Sequence, residues 1–309
     1  MSGAIPLPRI ASQSLLNGMS VDVEDWFQVG AFERVITRAE WDGLDRRVET
    51  NCDAILQLFA DADVRATFFT LGWVAERHPA MMRRIAAAGH EIASHGWDHA
   101  RVFTLGEAAF GEDIARARDV LEQTSGAAVT GYRAPSFSID ARTPWAHEVL
   151  ARHGYAYSSS VAPIVHDHYG WREAPRFAFR PVAGSGLIEV PVTTAEVAGR
   201  RMAAGGGGFF RLLPYAISRW AIERVNTRDG RPAVFYFHPW EIDPDQPRRA
   251  DAPLRSRFRH YTNLAAMAGK LQRLLGAFSW GRMDAVVAAE AARLDAAEAA
   301  RLDAKSVAA

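Results

Sequence analysis

The stretch that decides the fold is His-Glu-Ile-Ala-Ser-His-Gly-Trp-Asp-His, residues 90–99. Its apolar run follows a helix-ending glycine and predicts a short buried strand. His95 and His99 come directly after that strand, and Gly96 allows the chain to turn between them. Two imidazoles at this spacing can reach one metal ion when the residues between them make a tight turn. The alternative is that the two histidines are unrelated residues on a surface loop. The choice between these interpretations depends on the residues in the rest of the chain.

Strand and helix patterns alternate on both sides of this stretch. Short apolar or alternating runs predict strands, and apolar residues at three- and four-residue spacing predict the helices between them. With no sign of a second core, this order predicts one α/β domain whose parallel sheet closes into a barrel of about seven strands, with an open doubly wound sheet as the alternative. The predicted strands are 19–25, 65–71, 91–94, 129–133, 155–158, 187–192, 233–237 and 278–280. The predicted helices are 44–60, 74–88, 105–125 opened by a capping box at Thr104–Glu107, 144–154, 214–226 and 261–275.

Composition and charge exclude several classes of protein. The 309 residues carry no net charge, so no basic field points to nucleic acid. No stretch reaches the roughly 18 apolar residues of a membrane span, and the first residues lack a signal-peptide pattern, so we expect a cytoplasmic protein. The single cysteine, Cys52, falls on the apolar stripe of a predicted helix and is expected in the core.

Three carboxylates lie close together in the first predicted strand. In Met-Ser-Val-Asp-Val-Glu-Asp-Trp, residues 19–26, alternation places Ser20, Asp22 and Glu24 on one face, with Asp25 at the tip. Three acids within four residues repel one another, and a nearby cation would relieve that repulsion. A solvated strand face is the alternative; a catalytic or metal-binding role is favoured.

Polar side chains that suit metal-assisted hydrolysis follow the ends of several predicted strands. In a barrel the carboxyl ends of the strands share one face, where active sites lie. Imidazole and carboxylate ligands suit zinc or another divalent transition metal, while a spare carboxylate, an arginine and another histidine can handle protons. The pattern predicts an amide or ester hydrolase. The residues are Asp22, Glu24, Asp25, His95, His99, Arg133 and His238.

The run of four glycines at 205–208 needs a separate explanation. A phosphate-binding loop would require a following Lys-Ser or Lys-Thr, and none is present. We expect a flexible or closely packed loop that directs Phe209, Phe210 and Arg211 toward a site.

The motifs, taken together and in order, resemble those of the polysaccharide deacetylases, the NodB-homology enzymes of carbohydrate esterase family 4. The resemblance covers roughly residues 17–280. Residues 207–214 and 259–263 further resemble a bacterial subgroup associated with exosortase (PEP-CTERM) exopolysaccharide loci. The motifs that carry the family resemblance are Ser20–Asp25, Arg65–Phe69, Ser94–His99, Arg133–Phe137 and Phe237–His238.

This resemblance implies a distorted (β/α) barrel, a divalent metal that we expect to be zinc, and removal of N-acetyl groups from amino sugars of a bacterial polysaccharide. Carried over by position, His95 and His99 are metal ligands. Asp22 matches the general base, Arg133 the arginine that orients it, and His238 the general acid.

Two departures from the family pattern leave assignments open. The usual adjacent aspartates are replaced here, so the third ligand is Glu24 or Asp25; alternation favours Glu24 because it shares a face with Asp22. The region that usually supplies an aspartate to tune the acid histidine reads Tyr-Ser-Ser-Ser at 157–160, and Asp167 is a substitute candidate.

The resemblance also suggests an organisation and a substrate. We expect a flexible arm at 1–17, the deacetylase barrel at 18–245, an extension packed on it at 246–285, and a loosely docked Ala-rich helix at 286–309. The expected partner is an N-acetylated polysaccharide or lipid-linked oligosaccharide. The alternatives are a cyclic amide hydrolase similar to allantoinase and a non-catalytic glycan-binding protein.

Overall fold

Parallel strands and intervening helices alternate along the chain in the computed structural model, which describes residues 15–165 and 169–307. The strands are β1 (Asn17–Val23), β2 (Thr67–Thr70), β3 (Glu91–Ser94), β4 (Gly131–Tyr132), β5 (Tyr157–Ser158), β6 (Ile188–Glu189), β7 (Thr194–Val197), β8 (Arg200–Ala203), β9 (Val234–Phe237) and β10 (Trp280–Gly281). The helices are α1 (Val48–Asp61), α2 (Gly72–Arg77), α3 (Pro79–Ala87), α4 (Glu107–Ser125), α5 (Ala146–Arg152), α6 (Gly207–Leu212), α7 (Tyr215–Arg224), α8 (Leu254–Tyr261), α9 (Leu264–Leu275) and α10 (Met283–Val307).

The sheet runs in the order β9-β1-β2-β3-β4-β5-β6, and every neighbouring pair is parallel. The short β10 adds a further parallel pairing at the start of β1. Among the described residues no strand pairing joins β6 to β9, so the sheet is a curled half-barrel. The prediction of a distorted (β/α) barrel with about seven parallel strands is confirmed.

Irregular chain fills the gap between the two outer strands of the curl. The Val234 amide donates to the hydroxyl of Thr193, and the Tyr236 amide donates to the carbonyl of Gly205 at 2.7 Å. A Cβ on Gly205 would collide with the Val234 carbonyl oxygen. The start of the glycine run is therefore closely packed against β9. Of the two possibilities expected from the sequence, a flexible loop or a closely packed one, the structure shows the second.

The core lies between the sheet and the helices. Met19, Val21 and Val23 of β1 are fully buried, and so are the polar side chains that alternate with them on the other face. Cys52 of α1 is also fully buried, and this burial raises the pKa of its thiol well above the usual range. The expectation of an unreactive core cysteine is consistent with this environment.

Several local predictions differ from the structure. The helix expected over 74–88 is split because Pro79 begins a second helix at its own first position. Thr104 does not form the capping box that its spacing suggests: its hydroxyl donates to the Arg101 carbonyl, and α4 begins at Glu107. The antiparallel hairpin of β7 and β8 and the helix α8 were not predicted at all.

The C-terminal segments are part of the fold. β10, from the expected extension, pairs with β1. The first turns of α10 are docked rather than loose, because Met283, Val286, Val287 and Glu290 are buried, whereas the later turns are exposed. No helix within residues 15–165 and 169–307 is long and apolar enough to cross a membrane.

Glu91 makes the attachment of α10 dependent on pH. Its carboxylate accepts hydrogen bonds from Tyr157 and from the Asp284 amide, yet burial raises its pKa from 4.5 to about 7. Because the folded protein binds this proton more tightly than the unfolded chain, protonated Glu91 contributes to the unfolding free energy. The contribution is complete below about pH 4.5 and is lost as the pH rises through about 7. Relative to Glu91→Gln, the wild type should lose about 2 to 3 kcal/mol of unfolding free energy between pH 5 and pH 8.

Urea unfolding of both proteins at the two pH values measures this loss. Glu298→Gln on the exposed part of α10 is the control and should show no such difference. The prediction is contradicted if the difference in unfolding free energy between the wild type and Glu91→Gln is the same at both pH values.

The packing of the glycine run gives a second stability prediction. Gly205→Ala forces a Cβ against the Val234 carbonyl and should lower the unfolding free energy by about 2 kcal/mol. Gly208→Ala is the matched control because a Cβ at that position meets nothing within 4 Å. Chemical denaturation measures both variants; equal stability of the two would show that the run is loose.

Candidate active site

A cleft of about 480 Å³ opens at the carboxyl ends of the central strands. Because the strands are parallel, residues that follow β1, β3 and β9 meet at this edge although they are distant in sequence. Its floor is polar and its rim carries several arginines. The floor includes Asp22, Glu24, His95, His99, Tyr236, His238 and Trp240, and the rim includes Arg34, Arg101, Arg255 and Arg259.

One carboxylate and two imidazoles converge in the floor of the cleft. One ligand-type atom from each of Glu24, His95 and His99 lies within 4.8 Å of the others. The turn between the histidines has left-handed backbone at Gly96, with φ of 76°, and at His99, with φ of 64°. A Cβ at the glycine would lie 3.0 Å from the Asp113 carboxylate, so this tight turn requires glycine.

His95 is held as a neutral imidazole. Its Nδ1 lies 2.8 Å from the carbonyl oxygen of Arg133, and since a carbonyl only accepts, Nδ1 carries the proton. The lone pair of the other ring nitrogen, Nε2, is therefore available to a metal ion. Burial lowers the pKa of His95 to about 4, which also favours the neutral form that a metal requires.

Glu24 is ionised although it is buried. Burial alone would raise its pKa, but His99 and His238 lower it to about 2. Its Oε1 accepts a hydrogen bond from Trp240 Nε1 at 3.2 Å. Its Oε2 lies 2.8 Å from His99 Nε2 without the geometry of a hydrogen bond. An ionised oxygen that has no hydrogen-bond donor in the described part of the chain, and that lies beside two imidazole nitrogens, fits a divalent cation such as zinc.

Asp25 accepts hydrogen bonds from backbone amides and does not lie with Glu24, His95 and His99. Its Oδ1 accepts a hydrogen bond from the Trp26 amide, and its Oδ2 accepts from the amides of Arg47 and Val48 at the start of α1. One carboxylate oxygen is thus engaged by the turn after β1 and the other by the N-terminus of α1, while burial raises the pKa of Asp25 to about 6. Among the residues that the structure describes, Glu24 and not Asp25 lies with the two histidines, which favours Glu24 as the third ligand.

Asp22 and Arg133 form a buried ion pair. Arg133 Nη1 donates to Asp22 Oδ1 at 2.6 Å and to the Ser20 hydroxyl at 2.8 Å. Ser159 accepts two further hydrogen bonds from the guanidinium, through its carbonyl and its hydroxyl. Phe69 lies under the guanidinium at 4.1 Å. Arg133 therefore fixes one oxygen of Asp22 while Asp22 lines the cleft, as the sequence predicts for a base and its orienting arginine.

The serines at 157–160 support Arg133 rather than His238. The amides of Ser160 and Val161 both donate to Glu189 Oε1 at 2.9 Å, and His147 contacts the other oxygen at 3.1 Å. This buried carboxylate sets the position of the loop that accepts hydrogen bonds from Arg133. Glu189 was not among the residues predicted from the sequence. A glutamate inside an otherwise apolar strand, residues 187–192, is the feature that could have indicated a buried structural role.

His238 is positioned by Glu241, which no sequence pattern singled out, and through Glu241 by Arg211. Its Nδ1 lies 2.7 Å from Glu241 Oε1, and Arg211 Nε donates to the other oxygen of Glu241 at 2.7 Å. Burial would lower the pKa of His238, but the carboxylates of Glu24 and Glu241 raise it to about 9. His238 is therefore protonated at neutral pH. Asp167, the predicted tuning residue, lies outside the described residues.

The glycine run makes room for this arrangement. Gly207 lies directly against the Glu241 carboxylate, which a Cβ at that position would displace. Arg211, four residues later, is fully buried and donates to backbone carbonyls near the end of α8 as well as to Glu241. The expectation that the run directs Arg211 toward a site agrees with this contact.

Two known families match consecutive parts of the chain. The family described as "Polysaccharide deacetylase" matches residues 41–158, and "Domain of unknown function (DUF3473)" matches residues 159–288. The acids of β1 precede the first match, whereas His238 and Glu241 lie within the second. The candidate site is therefore assembled from both regions and from the strand that precedes them.

Curated relatives are deacetylases that resemble part of the chain. A peptidoglycan deacetylase of Helicobacter pylori is 28% identical over 113 residues, 37% of this chain and 38% of its own length. A peptidoglycan-N-acetylglucosamine deacetylase of Bacillus cereus is 33% identical over 30% of this chain and 34% of its own. A chitooligosaccharide deacetylase of Sinorhizobium fredii is 30% identical over 41% of this chain and 53% of its own. The chain thus spans about a third to a half of the length of these relatives.

Solved structures show the same fold over nearly the whole chain. A Mycobacterium smegmatis protein assigned to the polysaccharide deacetylases has a TM-score of 0.60 at 20% identity and covers 94% of this chain and 95% of its own. An allantoinase has a TM-score of 0.56 at 16% identity and covers 92% of this chain and 93% of its own. Residues 41–158 thus match the polysaccharide deacetylase family and residues 159–288 match DUF3473, on a fold shared with a solved polysaccharide deacetylase structure.

Proposed function

We propose that this protein is a metal-dependent hydrolase that removes N-acetyl groups from amino sugars of a bacterial polysaccharide. The observation that carries the proposal is the group of Glu24, His95 and His99, which lies in one cleft with Asp22 and His238. A metal site, a candidate base and a candidate acid are the parts that amide hydrolysis needs. The resemblance of residues 207–214 and 259–263 to the exosortase-associated subgroup supports exopolysaccharide synthesis as the setting.

Glu24, His95 and His99 would hold the divalent cation, for which zinc is our choice. Such a cation supplies Lewis acidity, which polarises a carbonyl and lowers the pKa of water. The proposed third ligand is held in its ionised form by neighbouring histidines and oriented by Trp240. His95 is oriented by the Arg133 carbonyl, which is the usual outer support of a metal-ligating histidine.

The chain's own residues would handle the protons. Asp22, fixed through one oxygen by Arg133, would take a proton from the water that attacks the acetamide carbonyl. His238, protonated at neutral pH, would donate a proton to the nitrogen as the carbon–nitrogen bond breaks. The products are acetate and the free amino sugar, so the step needs no further reactant.

The ligand assignment predicts opposite outcomes for two neighbouring acids. Glu24→Gln removes the anionic ligand and should weaken zinc binding by at least about tenfold. Asp25→Asn should retain zinc affinity but lower the unfolding free energy by about 1 to 2 kcal/mol, because asparagine keeps one acceptor oxygen and turns an NH2 donor toward the amide of Trp26 or toward those of Arg47 and Val48. Equilibrium dialysis with metal analysis and urea unfolding measure the two effects. Loss of zinc in Asp25→Asn but not in Glu24→Gln would reverse the assignment.

The proton-transfer roles predict a loss of activity without a loss of metal. Asp22→Asn and His238→Ala should each lower kcat for acetate release from N-acetylglucosamine oligomers by about a hundredfold or more, with zinc content unchanged. Asp119→Asn, on the exposed side of α4, is the control. Full activity of Asp22→Asn would exclude it as the base. Glycan binding with no acetate release by the wild type would favour the non-catalytic alternative.

A further inference from the structure

The helix α8 exposes two large apolar side chains on its outer face. Leu254 is 79% exposed and Phe258 is 63% exposed. Successive residues of a helix are turned by about 100°, so these two side chains lie one turn apart on a single stripe. Exposed apolar pairs of this kind usually mark a surface that meets another apolar phase.

The opposite side of α8 is anchored to the floor of the candidate active site. His260 is buried, and its ring stacks on Trp240 with ring centroids 4.1 Å apart. Its Nε2 lies 2.6 Å from Gln246 Oε1. Because Trp240 also donates to Glu24, the helix is fixed relative to the metal-ligand group. The outward stripe is therefore a fixed feature of the surface beside the cleft.

The stripe lies next to the mouth of the cleft and not inside it. Arg255 and Arg259 line the cleft, and each follows one of the two apolar residues, about 100° further round the helix. A sugar chain bound in the cleft would meet these arginines before it met Leu254 or Phe258. This placement argues against the stripe as a stacking platform for the substrate in the cleft.

The segment that carries the stripe is strongly basic. Residues 247–262 contain five arginines and one acid, Asp251, which Arg249 pairs at 2.6 Å. Arg248 lies over the Tyr261 ring at 4.8 Å, and Arg257 donates to a backbone carbonyl. Neither of these contacts neutralises the charge. Two copies of this face brought together would place arginines against arginines, which disfavours a symmetric dimer here.

We propose that α8 docks the protein on an anionic lipid surface, with Leu254 and Phe258 inserted at the interface and the flanking arginines near the lipid headgroups. A stripe of apolar residues bordered by cationic ones is the pattern of helices that lie in a membrane interface. The cleft then opens beside the lipid surface, where a glycan carried on a lipid would be within reach. Only this last point rests on the proposed function; the binding itself does not.

Flotation with unilamellar vesicles tests the docking directly. The wild type should bind vesicles of phosphatidylcholine with about 30 mol% phosphatidylglycerol, bind pure phosphatidylcholine much less, and lose binding in high salt. Leu254→Ser with Phe258→Ser should lower partitioning by at least about tenfold. Arg248→Gln with Arg257→Gln should lower binding to the anionic vesicles several-fold and flatten the salt dependence. Leu302→Ser, a 62% exposed leucine on α10, is the matched control and should bind like the wild type.

Leu254, Phe258, Arg248 and Leu302 are exposed and Arg257 is half-buried. The variants should therefore unfold near the wild-type temperature, and acetate release from a soluble oligomer should be unchanged. Failure of that release in the wild type would overturn the proposed function and leave the vesicle result standing. The docking proposal is overturned if the wild type does not float with anionic vesicles, or if the double apolar variant floats equally well. It is also overturned if that variant instead converts a dimer to a monomer or raises KM for the soluble oligomer, because the stripe then covers another copy or binds sugar.

Discussion

Glu24 keeps its negative charge inside the protein, at the point where β1 ends beside β2 and β9. Burying a carboxylate is costly unless nearby charges and donors compensate it. Here the neighbouring imidazoles of His99 and His238 lower its pKa and Trp240 supplies a hydrogen bond, while the other oxygen has no hydrogen-bond donor among the described residues. These groups come from two segments distant from β1 in sequence, because His99 follows β3 whereas His238 and Trp240 follow β9.

Two further buried ion pairs hold side chains of the site in place. Arg133 fixes Asp22 and is itself held by the loop that Glu189 anchors. Arg211 fixes Glu241, which in turn contacts His238. In each case a fully buried arginine pairs with a buried acid and donates further to the backbone. Such networks are favourable only when every member is satisfied, so they restrict the side chains of the site to one arrangement.

The boundary between the two family matches does not coincide with a boundary in the site. Residues 41–158 supply the paired histidines and Arg133, and residues 159–288 supply His238 and its supports. β9, from the second region, pairs directly with β1, so the two regions share one sheet. The DUF3473 region is thus structurally inseparable from the candidate active site.

The sequence by itself determined the order of the parallel strands and of most helices, and the residues at the strand ends, because apolar periodicity and glycine or proline breaks act locally. From these it placed Asp22, Glu24, His95, His99, Arg133 and His238 at one edge. Only the tertiary structure decided between Glu24 and Asp25, since adjacent acids differ in which distant amides and imidazoles they meet. It alone revealed Glu241, its pairing with Arg211 and the exposed stripe of α8, because burial and pairing across some 30 residues leave no periodic signal in the chain.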